Sequence, residues 1–320
     1  MNPTEVRPSP RARLGACLKE GVVKGLRTSL WLICFMLPVS LAVTLLGHFG
    51  MLAHITPYLQ PVFAMLGLPA EAVLACVSAG FLTVYAGIAA LAAIPLTDRQ
   101  LTILAMMILI AHNLPVESII QHKAGTSLWR MAVLRIVASF AAAFVMNLIL
   151  PAGDGVARTH GVADVQQQGL AAVLWAWAVG MAMLSAKICG IVMGLMILQR
   201  LLREFGVMDI LAWPLTPALW LLGLPRRLAF LWIVANVVGL AYGSAIILED
   251  VRTGVLTRKD AQLLNRSIGI CHSLLEDTLL FVAIGAWAFW ITVPRLALAA
   301  VVVWGYRVGI AIIRHDARRG

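Results

Sequence analysis

Two apolar stretches of the chain each place a histidine a few residues before a carboxylate. Residues 110–118 read Ile-Ala-His-Asn-Leu-Pro-Val-Glu-Ser, and residues 270–278 read Ile-Cys-His-Ser-Leu-Leu-Glu-Asp-Thr. Imidazole and carboxylate groups together bind protons, cationic solutes or divalent transition metals. A charged side chain at the centre of a bilayer costs roughly 2.5–3.5 kcal/mol on insertion scales, so such residues usually mark a pathway or a pair. The two stretches therefore predict one shared polar site.

The spacing inside each stretch says which groups can face each other. Glu276 follows His272 by four residues, which places both side chains on one face of a regular helix. Glu117 follows His112 by five residues, with Pro115 between them. Because proline lacks an N–H and disrupts a helix, helical spacing cannot be applied strictly in the first stretch.

The composition is that of a polytopic membrane protein. The 320 residues are 61% hydrophobic and 12% charged, whereas soluble domains are about half apolar and a quarter charged. Several apolar runs reach about 20 residues, enough to cross a hydrocarbon core ~30 Å thick. The net charge of +10 does not indicate a nucleic-acid partner, because basic residues gather at the chain ends, as in cytoplasmic flanks of membrane helices. They are Arg7, Arg11, Arg13, Lys19, Lys24 and Arg27, and then Arg314, Arg318 and Arg319.

The spacing of the cysteines and the absence of common catalytic motifs reduce the number of possible functions. Five cysteines are scattered without a CxxC pair, which indicates neither a disulfide framework nor a cysteine zinc site. They are predicted to be buried small hydrophobic residues, and they are Cys17, Cys34, Cys76, Cys189 and Cys271. No P-loop, HExxH or GxSxG motif is present, so we expect that the protein is not an enzyme.

An internal duplication relates the two halves of the chain. Three features recur 156 positions later: Phe49-Gly50, Pro61 and Gly67-Leu-Pro69 correspond to Phe205-Gly206, Pro217 and Gly223-Leu-Pro225. Five recur 160 positions later: Leu96-Thr97, His112, Glu117, Ser118 and Arg135 correspond to Leu256-Thr257, His272, Asp277, Thr278 and Arg295. Constant offsets over two blocks predict two structural repeats. The offset also predicts that the two histidines approach each other.

We predict an all-α polytopic membrane protein built from two inverted repeats. Each repeat is expected to hold about three spans, a re-entrant hairpin and a short Pro-containing helix. The hairpins are predicted at 97–129 and 257–289, and it is left open whether the short Pro-containing segments cross the membrane. The predicted segments are a basic N-terminal segment at 1–27, a first repeat at 28–150, a polar linker at 151–168, a second repeat at 169–312 and a basic tail at 313–320.

The distribution of basic residues predicts the orientation. Both termini should be cytoplasmic, and the linker 151–168, whose one basic residue is Arg158, should lie outside. Each half then crosses an odd number of times. No small-residue cleavage site follows the first apolar run, so it is predicted to be a retained helix of a bacterial inner-membrane protein. Arg135 and Arg295, near the start of the last span in each half, are expected to extend to the headgroups.

Neighbouring spans supply further polar candidates. A buried amide such as that of Asn236 needs hydrogen-bond partners. Lys187 lies in the middle of an apolar segment and is predicted to pair with Asp209, Glu276 or Asp277. The predicted binding set is His112, Asn113, Glu117, Ser118, His272, Ser273, Glu276, Asp277, Thr278, Asn236, Tyr85, Tyr242 and Lys187.

The residues around the histidines resemble the Gate, or nucleoside-recognition, domain. The resemblance rests on Leu96-Thr97 at a helix start, on Ala111-His-Asn-Leu-Pro115 and on Gly269-Ile-Cys-His-Ser-Leu-Leu-Glu-Asp277, and it extends over about 28–310 as two copies. Members include the membrane portion of G-protein-linked ferrous iron permeases and the spore maturation membrane proteins. The domain is related to concentrative nucleoside transporters. The resemblance implies inverted repeats with re-entrant hairpins.

The leading functional hypothesis is an inner-membrane secondary transporter, or permease, of a small polar or ionic solute held between the two histidine-containing breaks near the midplane. One alternative is an iron-like divalent-metal permease or a metal-holding membrane protein, with ligands drawn from His112, Glu117, His272, Glu276 and Asp277. Another is a non-transporting assembly factor of the spore maturation type. The expected partners are the lipid bilayer and the solute or ion, without nucleic acid. A homodimer or a partner membrane subunit is left open, and the cofactor is unknown from the sequence.

Overall fold

The computed structural model describes residues 10–152, 169–207, 219–237 and 239–316, and the regular structure in these ranges is helical. The prediction of an all-α polytopic membrane protein is confirmed. Five stretches in the described ranges are long and apolar enough to cross a membrane: Arg11–Leu46, Asp98–Lys123, Leu128–Ile149, Leu170–Leu202 and Ala288–Ile312.

The first half contains two long helices, one short Pro-containing helix and two pairs of short helices. These elements are α1 (Pro10–His48), α2 (Leu52–Met65), α3 (Ala72–Phe81), α4 (Val84–Leu91), α5 (Asp98–Ala111), α6 (Leu114–Lys123) and α7 (Leu128–Ile149). The 14 residues of α2 extend only about 21 Å at 1.5 Å per residue, which is shorter than the hydrocarbon core.

The second half repeats this order in the part that the structure describes. Its elements are α8 (Leu170–Glu204), a 3₁₀ turn (Arg226–Leu228), α9 (Ala229–Val237), α10 (Leu240–Arg252), α11 (Arg258–Ile270), α12 (Glu276–Ala283) and α13 (Ala288–Asp316). The segment with Pro214 and Pro217, which corresponds to α2, lies outside the described residues.

The helices α1 and α8 pack antiparallel along most of their length. A Cβ atom on Gly21 would lie 2.8 Å from Ile197 Cα, and one on Gly25 would lie 2.9 Å from Met193 Cα. The two backbones therefore approach as closely as small residues allow. Arg13 pairs with Glu204 at one end of the contact, at 2.8 Å. The helix α1 is continuous from Pro10, so the predicted segment 1–27 does not end at a break in the helix.

The apolar run at 71–94 forms a helical hairpin and not one continuous helix. The helices α3 and α4 have 10 and 8 residues and fold back on each other, because a Cβ atom on Gly87 would lie 2.7 Å from the Ala79 Cβ. The Thr83 side chain accepts a hydrogen bond from Ala86 N and caps α4. Each arm is at most about 15 Å long, half the thickness of the hydrocarbon core.

The stretch 97–129, predicted as a re-entrant hairpin, is instead a broken helix that continues in one direction. Arg99 contacts Asn147 near the end of α7, whereas Arg135 contacts Ile110 near the middle of α7. Thus α5 runs antiparallel to the second part of α7, and α6 continues along its first part. A hairpin would have brought the end of α6 back beside Arg99.

The same correction applies to the stretch 257–289. Tyr306 of α13 is hydrogen-bonded to Gln262 of α11, and Arg295 contacts His272 at the break. The helices α11 and α12 therefore run antiparallel to α13 as one interrupted helix, and α9 packs on α10 in the position of the hairpin. Each half instead has a pair of short packed helices earlier in the chain, α3 with α4 and α9 with α10.

The backbone conformation also repeats between the halves. Left-handed glycines occur in equivalent places, with φ of 67° at Gly50 and 66° at Gly206, and of 70° at Gly67 and 71° at Gly223. These matched turns agree with the duplication seen in the sequence. The inversion of the repeats across the bilayer stays a prediction.

Candidate solute-binding site

Two helix breaks lie side by side in the centre of the described structure. The helix α5 ends before His112, and Asn113 then adopts a left-handed conformation with φ of 49°. The helix α11 ends before His272 in the same way, and Ser273 has φ of 48°. Non-glycine residues rarely adopt this conformation, and they cluster at functional sites when they do.

The hairpins hold the two breaks in place. The backbone N–H of Asn113 donates to Ala79 O of α3 at 2.8 Å, and the N–H of Ser273 donates to Ala235 O of α9 at 3.3 Å. Each break therefore satisfies part of its interrupted backbone on the hairpin of its own half, as irregular backbone buried in a membrane protein must.

The two broken helices run antiparallel and meet at their breaks. Thr102 Oγ1, near the start of α5, accepts a hydrogen bond from Trp287 N, which follows α12. At the other end, Gln121 of α6 donates to Asn265 O of α11 at 3.3 Å. Between these contacts His112 Nε2 lies 3.3 Å from His272 Nε2. The predicted approach of the two histidines is therefore present.

The hydrogen bonds of the imidazole rings determine their tautomers. His112 Nδ1 lies 3.0 Å from Ile108 O, and His272 Nδ1 lies 2.7 Å from Ile268 O. A carbonyl oxygen can only accept a hydrogen bond, so each Nδ1 carries a proton. The neutral rings therefore direct two Nε2 lone pairs toward each other inside the protein, where both residues are buried.

Glu117 adds a third acceptor to the same point. Its Oε1 lies 3.3 Å from His112 Nε2 and 3.4 Å from His272 Nε2. The three ligand atoms lie within 4.8 Å of one another. Three lone-pair acceptors in mutual contact repel each other unless a positive species lies between them, so this cluster can hold a proton or a cation. We call His112, Glu117 and His272 the central triad.

Arg135 fixes the central triad from behind. Its Nη1 lies 2.6 Å from Glu117 Oε2, and its Nε and Nη2 donate to Ile110 O and His112 O, each at 2.8 Å. The side chain is completely buried. The expectation that Arg135 extends to the headgroups is therefore wrong, and this arginine is a site residue that the sequence reasoning missed.

Arg295, the counterpart of Arg135, is buried without a matching carboxylate contact. Its Nη2 donates to His272 O at 3.0 Å, while Nε and Nη1 reach no oxygen or nitrogen acceptor among the described residues. The equivalent acid, Asp277, has one methylene fewer than Glu117. Its Oδ2 lies 3.9 Å from His112 Nε2 and has no hydrogen-bond partner in the described structure.

Glu276 belongs to a second contact and not to the central triad. It accepts a hydrogen bond from Tyr85 Oη at 2.6 Å. Tyr85 lies on α4, so the hairpin of the first half is tied to the broken helix of the second half. Of the predicted metal ligands, the structure therefore brings together His112, Glu117 and His272, with Asp277 beside them.

The remaining predicted residues differ in their surroundings. Ser118 Oγ and Thr278 Oγ1 are buried without a hydrogen-bond partner in the described part of the chain. Asn236 donates to Trp232 O of its own helix at 2.9 Å, and its Oδ1 has no partner there. Lys187 is exposed on α8, and no ion pair with Glu276 or Asp277 occurs in the described ranges. Asp209 and the side chain of Tyr242 lie outside the described residues.

Fold and site together define an all-α membrane protein with paired, interrupted helices around a buried polar centre. The family model described as nucleoside recognition, named Gate, matches residues 29–127. The chain is also similar to the uncharacterized membrane protein YvoD of Bacillus subtilis (strain 168), with 31% identity over 271 residues that cover 83% of this chain and 86% of that protein. The chain belongs to the Gate family of membrane proteins. No solved structure matches it at a significant level.

Proposed function

We propose that this protein is a permease of the bacterial inner membrane that carries a small polar or ionic solute across the bilayer. The observation that supports the proposal is the convergence of three buried acceptor atoms, His112 Nε2, His272 Nε2 and Glu117 Oε1, at two opposed helix breaks. A structural protein has no evident use for such a cluster, because replacing buried polar groups by apolar ones often costs nothing in stability.

Unpaired polar atoms near the breaks support binding of a solute. Ser118, Asp277, Thr278 and Asn236 each have a buried oxygen without a hydrogen-bond partner among the described residues. Buried polar groups are usually satisfied in native proteins. A hydrated or hydrogen-bonding solute at the central triad would supply partners that the chain itself does not.

The interrupted helices and the short helical hairpins are also consistent with a transporter. Interrupted helices paired near the midplane are typical of secondary transporters with repeated halves. The hairpins contact the broken helices through a few hydrogen bonds, which include Asn113 N to Ala79 O and Tyr85 Oη to Glu276 Oε1, so movement of the hairpins would open the site without disrupting the long helices. The basic residues at both chain ends support cytoplasmic termini. The proposal involves no catalytic step.

Uptake into proteoliposomes tests the proposal. The purified full-length protein is reconstituted and assayed with radiolabelled uridine, adenosine, Zn²⁺ and Fe²⁺, with and without a pH gradient. We expect uptake of at least one probe above protein-free liposomes. The double variant His112→Ala/His272→Ala should return that uptake to the protein-free level, because it removes two of the three central acceptors.

The variant His54→Ala is the matched control, because His54 is exposed on α2. It should transport at the wild-type rate. Normal transport by the double variant would contradict the location of the site. The absence of uptake for all probes would favour the non-transporting assembly role.

A further inference from the structure

The geometry points to a divalent transition-metal ion of the zinc class as the species held by His112, Glu117 and His272. This inference rests on the proposed function, since it names the class of solute that the same site takes. The ion would bind to His112 Nε2, His272 Nε2 and Glu117 Oε1, with a fourth position open toward Asp277.

The edges of the central triad match those of a tetrahedral metal site. The three distances between ligand atoms are 3.3, 3.3 and 3.4 Å. A tetrahedral ion with ligands at about 2.0–2.1 Å separates its ligand atoms by about 3.4 Å. One face of the tetrahedron is therefore already formed by the protein. Two imidazoles, one carboxylate and an open fourth position form a ligand set that zinc accepts.

The same distances are less suited to a shared proton. A charge-assisted hydrogen bond from an imidazolium to a carboxylate has a donor–acceptor distance of about 2.7–2.9 Å. The distances from Glu117 Oε1 to His112 and His272 are longer than this and nearly equal. One proton forms one short contact, whereas the three contacts of the central triad are nearly equal in length, at 3.3, 3.3 and 3.4 Å.

The groups around the ligands are those that support a bound metal. Each ligand histidine donates its Nδ1–H to a backbone carbonyl, Ile108 O or Ile268 O, which fixes the tautomer that leaves Nε2 free for a metal. The second oxygen of Glu117 is held by Arg135 at 2.6 Å, so the carboxylate cannot rotate away from the triad. These contacts orient all three ligands before any ion arrives.

The fourth position lies beside an unpaired acid. Asp277 Oδ2 is 3.9 Å from His112 Nε2 and has no hydrogen-bond partner in the described residues. Asp277 lies outside the group of three ligand atoms that are within 4.8 Å of one another, so it would act as a neighbouring negative charge and not as a preformed fourth ligand. Glu117 and Asp277 together would then balance the charge of a divalent ion in the low-dielectric interior. The positive charge of Arg135 opposes tight binding, as is useful where an ion must also be released.

Cobalt substitution tests the inference directly. The full-length protein, purified in detergent and treated with a chelator, is titrated with Co²⁺, whose visible absorption is intense in tetrahedral sites and weak in octahedral ones. We expect one Co²⁺ per chain with a tetrahedral spectrum, and loss of that spectrum on addition of Zn²⁺. Elemental analysis after gel filtration measures the bound zinc.

Variants locate the site. His112→Gln and His272→Gln should weaken binding at least about tenfold, since loss even of a supporting residue costs a metal site 10–100-fold. Asp277→Asn should keep the Co²⁺ but change its spectrum, and His54→Gln should bind as the wild type does. Each variant is compared with the wild type by circular dichroism and gel filtration. The Asp277 variant and the wild type keep the test decisive if a histidine variant does not fold.

Failure of the metal inference can be distinguished from failure of the proposed function. A wild-type protein without a tetrahedral Co²⁺ spectrum, or one whose Co²⁺ binding is unchanged in both histidine variants, overturns the inference. Histidine-dependent uptake of uridine or adenosine, without uptake of metal ions, would support the permease proposal and contradict the metal site. Bound zinc without uptake of any probe would support the metal site and contradict the permease proposal.

Discussion

Two buried arginines have different partners although their positions in the repeats are equivalent. Arg135 is paired with Glu117 and with two carbonyl groups, whereas Arg295 donates to one carbonyl group and forms no ion pair with the shorter Asp277 in the described structure. Both arginines are completely buried. Because Asp277 is one methylene shorter than Glu117, the site is asymmetric: Arg135 and Glu117 form an ion pair, whereas Arg295 and Asp277, both among the described residues, do not.

This asymmetry predicts unequal costs for removing the two arginines. Arg135→Met leaves Glu117 as a buried carboxylate without its cation, a change that typically costs about 3–5 kcal/mol. Arg295→Met removes a buried charge that has no close carboxylate, so its cost should be much smaller. Thermal unfolding of both variants in detergent measures the difference. Equal losses of thermal stability would show that Glu117 and Arg135 do not form a buried pair.

The sequence identified the histidines and acids of the site but not the role of the arginines. Arg135 lies seven residues into α7, which begins at Leu128, so it is about 10 Å along the helix axis. A long side chain at that depth can extend to the headgroups or turn inward. Arg135 turns inward because the break between α5 and α6 lies opposite it and offers the carbonyl groups of Ile110 and His112.

At the scale of helices, the stretch predicted as a hairpin in each half is an interrupted helix, and the apolar run that precedes it is the hairpin. The apolar run 71–94 is the folded pair α3 and α4, and the stretch with the conspicuous Pro115 is an interrupted helix that runs straight on. Pro115 occupies the first turn of α6, where its missing N–H has no helical partner in any case. The proline therefore begins a helix and does not reverse the chain.

Cross-linking tests the hairpin. Cysteines introduced as Ala79→Cys and Gly87→Cys, in a protein whose native cysteines are replaced by alanine, should form a disulfide under mild oxidation. A Cβ atom added at Gly87 would lie 2.7 Å from Ala79 Cβ, so a separation of the two helices by about 1 Å gives the Cβ–Cβ spacing of a disulfide. In a continuous helix these positions would be about 12 Å apart, too far for a disulfide. Mass spectrometry of proteolytic fragments detects the bond.

The matched control for the hairpin is the pair Ala138→Cys and Met146→Cys, which has the same spacing inside the continuous helix α7. This pair should stay reduced. A disulfide at neither pair, with both proteins folded, would indicate that α3 and α4 form one straight helix.

At the scale of the whole molecule, corresponding helices of the two halves run in opposite directions. The first helices, α1 and α8, are antiparallel, and so are the two interrupted helices that meet at His112 and His272. Antiparallel counterparts are what inverted repeats require. The orientation of these helices relative to the bilayer is the part that the charge distribution predicts.

Labelling of single cysteines tests that orientation. In a cysteine-free protein expressed in bacteria, Ala163→Cys in the linker should react with a membrane-impermeant maleimide in intact cells, because the linker is predicted to lie outside. Ser9→Cys should react only after the membrane is permeabilised, because the basic N-terminus is predicted to be cytoplasmic. The reverse labelling pattern would mean that the chain is inserted with the opposite topology.

The sequence by itself determined the membrane class, the duplication and most of the polar residues of the site. These features depend on local quantities: the apolar content of each stretch, the constant offset between the halves, and the cost of placing His112, Glu117 and His272 in apolar surroundings. None of them requires knowledge of how the helices pack.

The tertiary structure alone decided the paths of the helices and the partners of the charges. An apolar segment that folds back on itself and one that crosses have the same composition, so packing of Ala79 against Gly87 was needed to distinguish them. Likewise, the contact of Glu117 with two histidines and Arg135 joins residues from three helices. Distances between such residues depend on the crossing of α5–α6 with α11–α12, and spacing along the chain does not contain that crossing.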